Sequence, residues 1–474
     1  MIKLLTIAAD EWRYWFRSQL AFWSILAFVV LLVTIATLNV LKVSAEHHKR
    51  IEHQKTAEET FLEQPDRHPH RMVHYGHYAF RAPTPLAMID PGLDAVTGQA
   101  IFLEGHRQNS ASFDESAASA DLGGLSWLSP ALVYQWFAPL LLILLGYGSV
   151  VRERESSTLA TLLSQNVSGW EILIGKILAM LSMSCVLILP LFLTATFAEG
   201  AFAGLILSLS YLVYMGIWAI LTIAISASVY KRATILTIML SFWLCICLLI
   251  PSIAVDLESQ LSTHKGKVQS DLLMLSELRK LGDGHNSNDP AFAKIRSNLL
   301  AQYQVENIED LPVNLRGIVA KYSEEKLTQV LNEYANERMT TEVKQASRLE
   351  NYGWLSPALA IANVSRAIAG TDLHHYHQFL VETESLRYDF VQGLNEVHSK
   401  QLSYSDDINR SSDKEAEKRT RISATNWQLL DSYQFKPAQL STRIRNAESS
   451  LIIMLVWSIV LVAFVFIIGK FLKP

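Results

Sequence analysis

Cysteine is scarce: three residues in 474, namely Cys185, Cys245 and Cys247, each inside an apolar run. That excludes a disulfide framework, and Cys245 with Cys247 reads as apolar packing, not a zinc or redox pair. A charge surplus is missing as well. The formal net charge of −4 gives no reason to expect a nucleic-acid partner. Charge of either sign is thin, at 18% of residues against 50% hydrophobic, which is too apolar for an ordinary soluble chain of this length. A phosphate-binding loop is lacking too. GWEILIGKI at Gly169–Ile177 puts five residues between its glycines instead of four, with Ile177 where Ser or Thr should hold magnesium. No nucleotide chemistry is therefore expected of this chain, and the reading is a non-catalytic subunit.

What the chain has instead is six long runs free of Asp, Glu, Lys, Arg and His. They are Leu20–Leu41, Leu122–Val151, Ile177–Ala198, Gly200–Tyr230, Ala233–Val255 and Ser449–Gly469. A helix rises about 1.5 Å per residue, so roughly 20 residues cross a hydrocarbon core of about 30 Å. The runs lack strand alternation, and only helices or closed barrels satisfy the backbone in lipid. The fold class expected is an all-α polytopic membrane protein with spans at 20–43, 130–151, 177–198, 201–229, 233–255 and 449–470. The first run is too long and lacks a cleavage pattern for a secretory signal, so it reads as an uncleaved span. Ion-coupled carriers keep ionisable groups at membrane depth, and their absence here argues against a secondary transporter.

Six spans put both termini on one side. The segments of that side, 1–19, 152–176, 231–232 and 470–474, carry ten Lys or Arg against five acids. The positive-inside rule makes them cytoplasmic, and a bacterial inner membrane is the expected location. Residues 1–19, rich in Trp12, Tyr14, Trp15 and Phe16, read as an amphipathic interfacial helix on that leaflet. Two large loops, 44–129 and 256–448, then lie outside. The first is rich in Pro, Gly and aromatics and suggests turns with minor β structure, while the second is helical in pattern. Neither is large enough to bury a full core alone, so they should fold together. WLSPAL occurs twice, at Trp127–Leu132 and Trp354–Leu359, as two helix starts capped by serine with proline following. The second opens ALAIANVSRAIAG, expected along the outer membrane surface.

All fourteen histidines fall in the two outer loops. His68, His70, His74 and His77 have a spacing that could hold a metal, but no HExxH or Cys partner accompanies them. Solvated or hydrogen-bonded histidines are the preferred reading, with no metal site expected.

The stretch RERESSTLATLLSQNVSGWEILIGK, residues 152–176, separates the second and third spans. Leu159, Leu162 and Leu163 make a short apolar face beside exposed Thr158, Thr161 and Ser164. Ser168 and Glu171 form the S-x-x-E capping box that starts the third span. A span end, a short helix, a turn and a capped helix follow one another, giving a small rigid knob.

This stretch resembles the signature after the second span of ABC-2-type transporter permeases, which commonly reads E-R-E-x-G-T-L-x-x-L-L-S-x-P-V-S-x-x-x-I-L-x-G-K. Glu153, Arg154, Glu155, Thr158, Leu159, Leu162, Leu163, Ser164, Val167, Ser168, Ile172, Gly175 and Lys176 match it, whereas Ser157 replaces the usual Gly and Asn166 a frequent Pro. The outer segments look like an uncharacterised subfamily with large extracytoplasmic loops. The resemblance implies a coupling helix near Ser156–Gln165 that docks on a separate ABC ATP-binding subunit, which would bind ATP and Mg. This chain would hold no cofactor of its own. A second permease, identical or paralogous, would complete the transporter, and an exporter is the expected direction. One alternative is an ATPase-linked mechanical or signalling device acting on an envelope partner. Another is a metal-handling membrane protein.

Overall fold

The computed structural model describes residues 2–113, 128–261 and 267–473. Along the chain the principal elements are α1 (Ile2–Arg17), α2 (Gln19–Leu62), α3 (Pro69–Tyr75), β1 (His77–Phe80) and β2 (Ala100–Leu103). They continue as α4 (Pro130–Glu155), α5 (Thr158–Ser164), α6 (Gly169–Glu199), α7 (Ala201–Ser228) and α8 (Arg232–Leu261). The remainder are α9 (Leu315–Asn351), α10 (Pro357–Ala369), α11 (Leu373–Gln401) and α12 (Glu448–Lys470). Shorter helices are named by their residues. Six of these, α2, α4, α6, α7, α8 and α12, are long and apolar enough to cross a membrane. The chain is an all-α polytopic membrane protein, and β1 pairs antiparallel with β2 in the one sheet among the described residues.

The spans are not equivalent. The most apolar windows of α4, α6 and α7 are 61%, 61% and 72% buried, against 22% for α2, α8 and α12. The first three therefore make the inner wall, with Leu142, Met180, Tyr211, Tyr214 and Trp218 enclosed among them. The other three leave broad apolar faces, such as Val29, Val33, Phe242 and Phe466, to lipid or to a partner.

α2 does not stop where its apolar run does. It continues unbroken for 44 residues, about 66 Å, so half of it stands clear of a 30 Å core. Good helix formers carry it on, helped by the Glu46–Arg50 pair at 2.8 Å one turn apart. The boundary expected at 43–44 is thus a change of solvent, not a helix end.

A second departure concerns α10, expected to lie along a membrane surface. Instead it is inserted among the spans. α9 brings the chain down to a short turn at Tyr352–Trp354, and α10 climbs back. The Gly353 carbonyl accepts from Trp457 Nε1 at 3.1 Å, and Ser356 Oγ donates to the Ile246 carbonyl at 2.6 Å. Trp457 lies about 14 Å along α12, and Ile246 about 21 Å along α8. α10 is therefore a short re-entrant helix, with Ala360, Ile361, Val364 and Ile368 buried against its neighbours. Non-helical backbone at such depth survives because protein groups satisfy it. Both serine–proline starts form as read: Ser129 and Ser356 accept from the backbone N–H three residues on. Trp127 of the first copy lies outside the described residues.

Beyond the spans the two loops form one domain. Arg67 bridges Ile422 in antiparallel fashion, and Trp427 Nε1 donates to the Gln64 carbonyl at 2.8 Å. Phe61, Met72 and Val73 of the first loop pack with Phe390, Leu394 and Trp427 of the second.

Candidate functional site

The 152–176 stretch sits at the end of the molecule that carries both termini, and each residue of Glu153-Arg154-Glu155 reaches a different helix. Glu153 Oε1 accepts from Lys176 Nζ of α6 at 3.1 Å, and its Oε2 accepts from the Thr158 hydroxyl at 2.6 Å. Arg154 donates to the Ala227 and Val229 carbonyls at the close of α7, at 3.0 and 3.2 Å, while lying over the Tyr230 ring. A cation there satisfies orphan carbonyls and the helix dipole together. Glu155 pairs with Arg232, the first residue of α8, at 2.5 Å.

α1 completes the hub. It packs lengthwise against α6, from Lys3 on the Asn166 carbonyl to Trp12 on Ser182. A Cβ at Gly175 would come within 2.8 Å of Ile7, so only glycine admits this approach. Glu11 of α1 is 1% exposed and accepts from Lys176 at 2.5 Å and from Arg152 at 2.8 Å. Lys176 itself is 2% exposed, its charge answered by two carboxylates. Sequence reasoning missed Glu11 as a site residue. The available signal was its place on the apolar stripe of α1, in line with Leu4, Ile7 and Trp15.

α5 projects from this hub. The apolar face of its leucines turns inward: Leu159 is fully buried and Leu162 and Leu163 are half-buried. Apolar spacing of three and four residues anchors a short helix as readily as it docks one. The outward surface is Thr158, Ala160, Thr161, Ser164 and Gln165. Ser157 and Asn166, on either side of α5, have φ of 60° and 61°. This explains the glycine usual at the position of Ser157, and it shows that a proline could not stand at 166 in this turn. Ser157→Gly is expected to stabilise the chain by up to about 1 kcal/mol. Asn166→Pro should destabilise it by about 3 kcal/mol. Thermal unfolding of the purified full-length chain reads both. The capping box forms as expected, with Glu171 accepting from the Ser168 N–H at 2.9 Å and hydroxyl at 2.8 Å.

The four histidines singled out in the first loop do not share one site. His77 packs on Phe61 and meets Gln54, with no other histidine beside it among the described residues. His68 joins His398 around Asp407, whose carboxylate also receives Asn314 and Arg316. His70 and His74 meet His106 and His285, two residues that sequence reasoning did not single out. Burial, reinforced by the neighbouring imidazoles, pushes His70 down to about 2. His106 Nδ1 lies 2.8 Å from Glu324, which also pairs with Arg387 at 2.6 Å. Burial would raise the Glu324 carboxyl, but its bond to His106 and the Arg387 charge prevail and hold it near 2. Beside this network a cleft of about 1160 Å³ opens between β2, α9 and α11, lined in part by Phe102, Met339, Tyr376 and Tyr388.

No curated protein matches the chain. Residues 268–436, which hold α9, α10 and α11 together with His285, Glu324, Arg387 and Asp407, match the family model described as Domain of unknown function (DUF3526).

Proposed function

We propose that this chain is the membrane-spanning subunit of an ATP-driven ABC-2-type transporter, an exporter working as a pair of permeases on separate ATP-binding subunits. The observation that carries the reading is the fan of contacts from Glu153, Arg154 and Glu155 to α6, α7 and α8. A push on α5 would reach three spans and α1 through charged contacts of 2.5–3.2 Å. The basic balance of the terminus-bearing side supports a cytoplasmic hub and an extracytoplasmic large domain in a bacterial inner membrane. One feature favours the second reading, a mechanical device acting on an envelope partner: the unbroken α2 would carry movement from the membrane into the large domain.

The test is whether the chain, purified from its native membrane, brings an ABC ATP-binding protein with it, together with the ATPase activity of the complex. Thr161→Arg, on the outward surface of α5, and Glu155→Arg are expected to release that protein while membrane insertion persists. Because Glu155 also pairs with Arg232, the exchange Glu155→Arg with Arg232→Glu restores the local pair. A coupling role predicts that the exchange stays uncoupled. Undiminished association and ATP turnover in Thr161→Arg would refute the assignment.

A further inference from the structure

Four histidines from three separate segments converge in the large domain. His70 and His74 lie one turn apart on α3, with their Nε2 atoms 3.2 Å from each other. His106 is brought in by the turn after β2. There the Gly105 N–H donates to the Val73 carbonyl at 2.9 Å, and any Cβ at Gly105 would collide with Val73. His106 itself takes a left-handed backbone, φ 65°. His285 comes from the second loop, where the adjacent Gly284 lies against Ser323, next to Glu324. One ring nitrogen from each of the four lies within 4.8 Å of all the others.

The geometry is that of a ligand shell. Metal–nitrogen bonds of about 2.0–2.1 Å in a tetrahedron put ligand nitrogens about 3.3 Å apart, and the His70–His74 pair already stands at that separation. His106 is set up further. Its Nδ1–H donates to the fully buried Glu324, which fixes the tautomer and leaves the lone pair on Nε2. That Nε2 is buried without a hydrogen-bond partner. A carboxylate behind a histidine whose other nitrogen is free is the usual second-shell arrangement of metal-binding imidazoles. Plain hydrogen bonding accounts for His70 and His74 but leaves the His106 nitrogen bare, a desolvated acceptor with nothing to accept from.

We propose that His70, His74, His106 and His285 bind one divalent transition-metal ion, zinc being the best match, with Glu324 orienting His106. An all-imidazole set suits zinc, copper or nickel and disfavours magnesium and calcium, which take oxygen ligands. Three ligands belong to the first loop and one to the second, so the ion fastens the loop around His285 to α3. The neighbouring cluster of His68, His398 and Asp407 also holds a bare ring nitrogen, His398 Nδ1, but there both Nε2 atoms are taken by the same carboxylate. There Asp407 is already satisfied by two histidines and Asn314, and Arg316 and Arg410 supply the positive charge. It serves as an internal control.

The experiment uses the full-length chain in detergent, stripped with a chelator and dialysed. It is then titrated with zinc by calorimetry and with cobalt by visible absorption. One ion per chain is expected, with the intense cobalt bands of a four-coordinate nitrogen site. His106→Ala and His285→Ala should each weaken zinc at least about 10-fold, as loss of a metal contact does, whereas His398→Ala should keep wild-type stoichiometry. His285 is exposed, so His285→Ala should fold as the parent does, and circular dichroism verifies that. Zinc should raise the melting temperature of the parent but not of His285→Ala. The proposal is overturned if the stripped parent binds neither ion, or if both histidine variants bind as the parent does.

Discussion

Glu11→Ala should destabilise the protein by about 3–5 kcal/mol, the usual cost of removing one partner from a buried ion pair. Lys176 would be left 2% exposed with Glu153 alone, at 3.1 Å, and Arg152 would lose its 2.8 Å contact. The remaining carboxylate places the expected loss toward the lower end of that range. Replacing both members with apolar side chains, Glu11→Leu with Lys176→Met, should recover most of it, because the desolvation penalty leaves with the charges. A thermal-unfolding cycle on the detergent-solubilised chain measures the single and double variants. A Glu11→Ala protein as stable as the parent would show that α1 is held by its apolar face alone.

Arg387→Met is expected to be comparably severe, again about 3–5 kcal/mol. Arg387 is 2% exposed and donates to Glu384 at 2.7 and 2.9 Å, to Glu324 at 2.6 Å and to Thr328 at 2.9 Å. Without it two carboxylates in the interior of the large domain face each other with no cation. Arg387→Lys should recover part of the loss, since a single ammonium cannot reproduce the guanidinium fork. Limited proteolysis of the full-length chain reports the large domain directly: Arg387→Met should be cut at protease concentrations that leave the parent intact. Equal resistance would exclude the network as a keystone of that domain.

The spans were legible because they rest on one variable, the length of uncharged sequence, and all six appear. So was the Ser168–Glu171 start, where the whole interaction lies within four residues. α10 was misplaced because Ala358–Gly370 is too short to span and carries Arg366, so hydropathy assigns it to a surface. Only the partner residues Ile246 and Trp457 reveal its depth. The continuation of α2 was hidden by the change from apolar to charged residues at Lys42, which marks the end of lipid but not the end of a helix. Of the histidine cluster, His70 and His74 announce themselves by their i,i+4 spacing. His106 and His285 are solitary in sequence, and nothing local states that two loops separated by four spans will bring them together. The same holds for Glu11 and Lys176, an acid and a base that look like ordinary boundary charges until α1 is laid against α6.

The pairing of Arg67 with Ile422 also sets a timetable. At about 5–20 residues per second the chain between them takes on the order of tens of seconds to synthesise. For that interval Phe61, Met72 and Val73 have emerged without Phe390 or Trp427 to cover them. The first loop is thus a half-built domain that must wait, unpaired, while four further helices enter the bilayer. Its quality control is a matter of patience: substitutions that make the waiting half sticky should harm yield far more than they harm the finished protein.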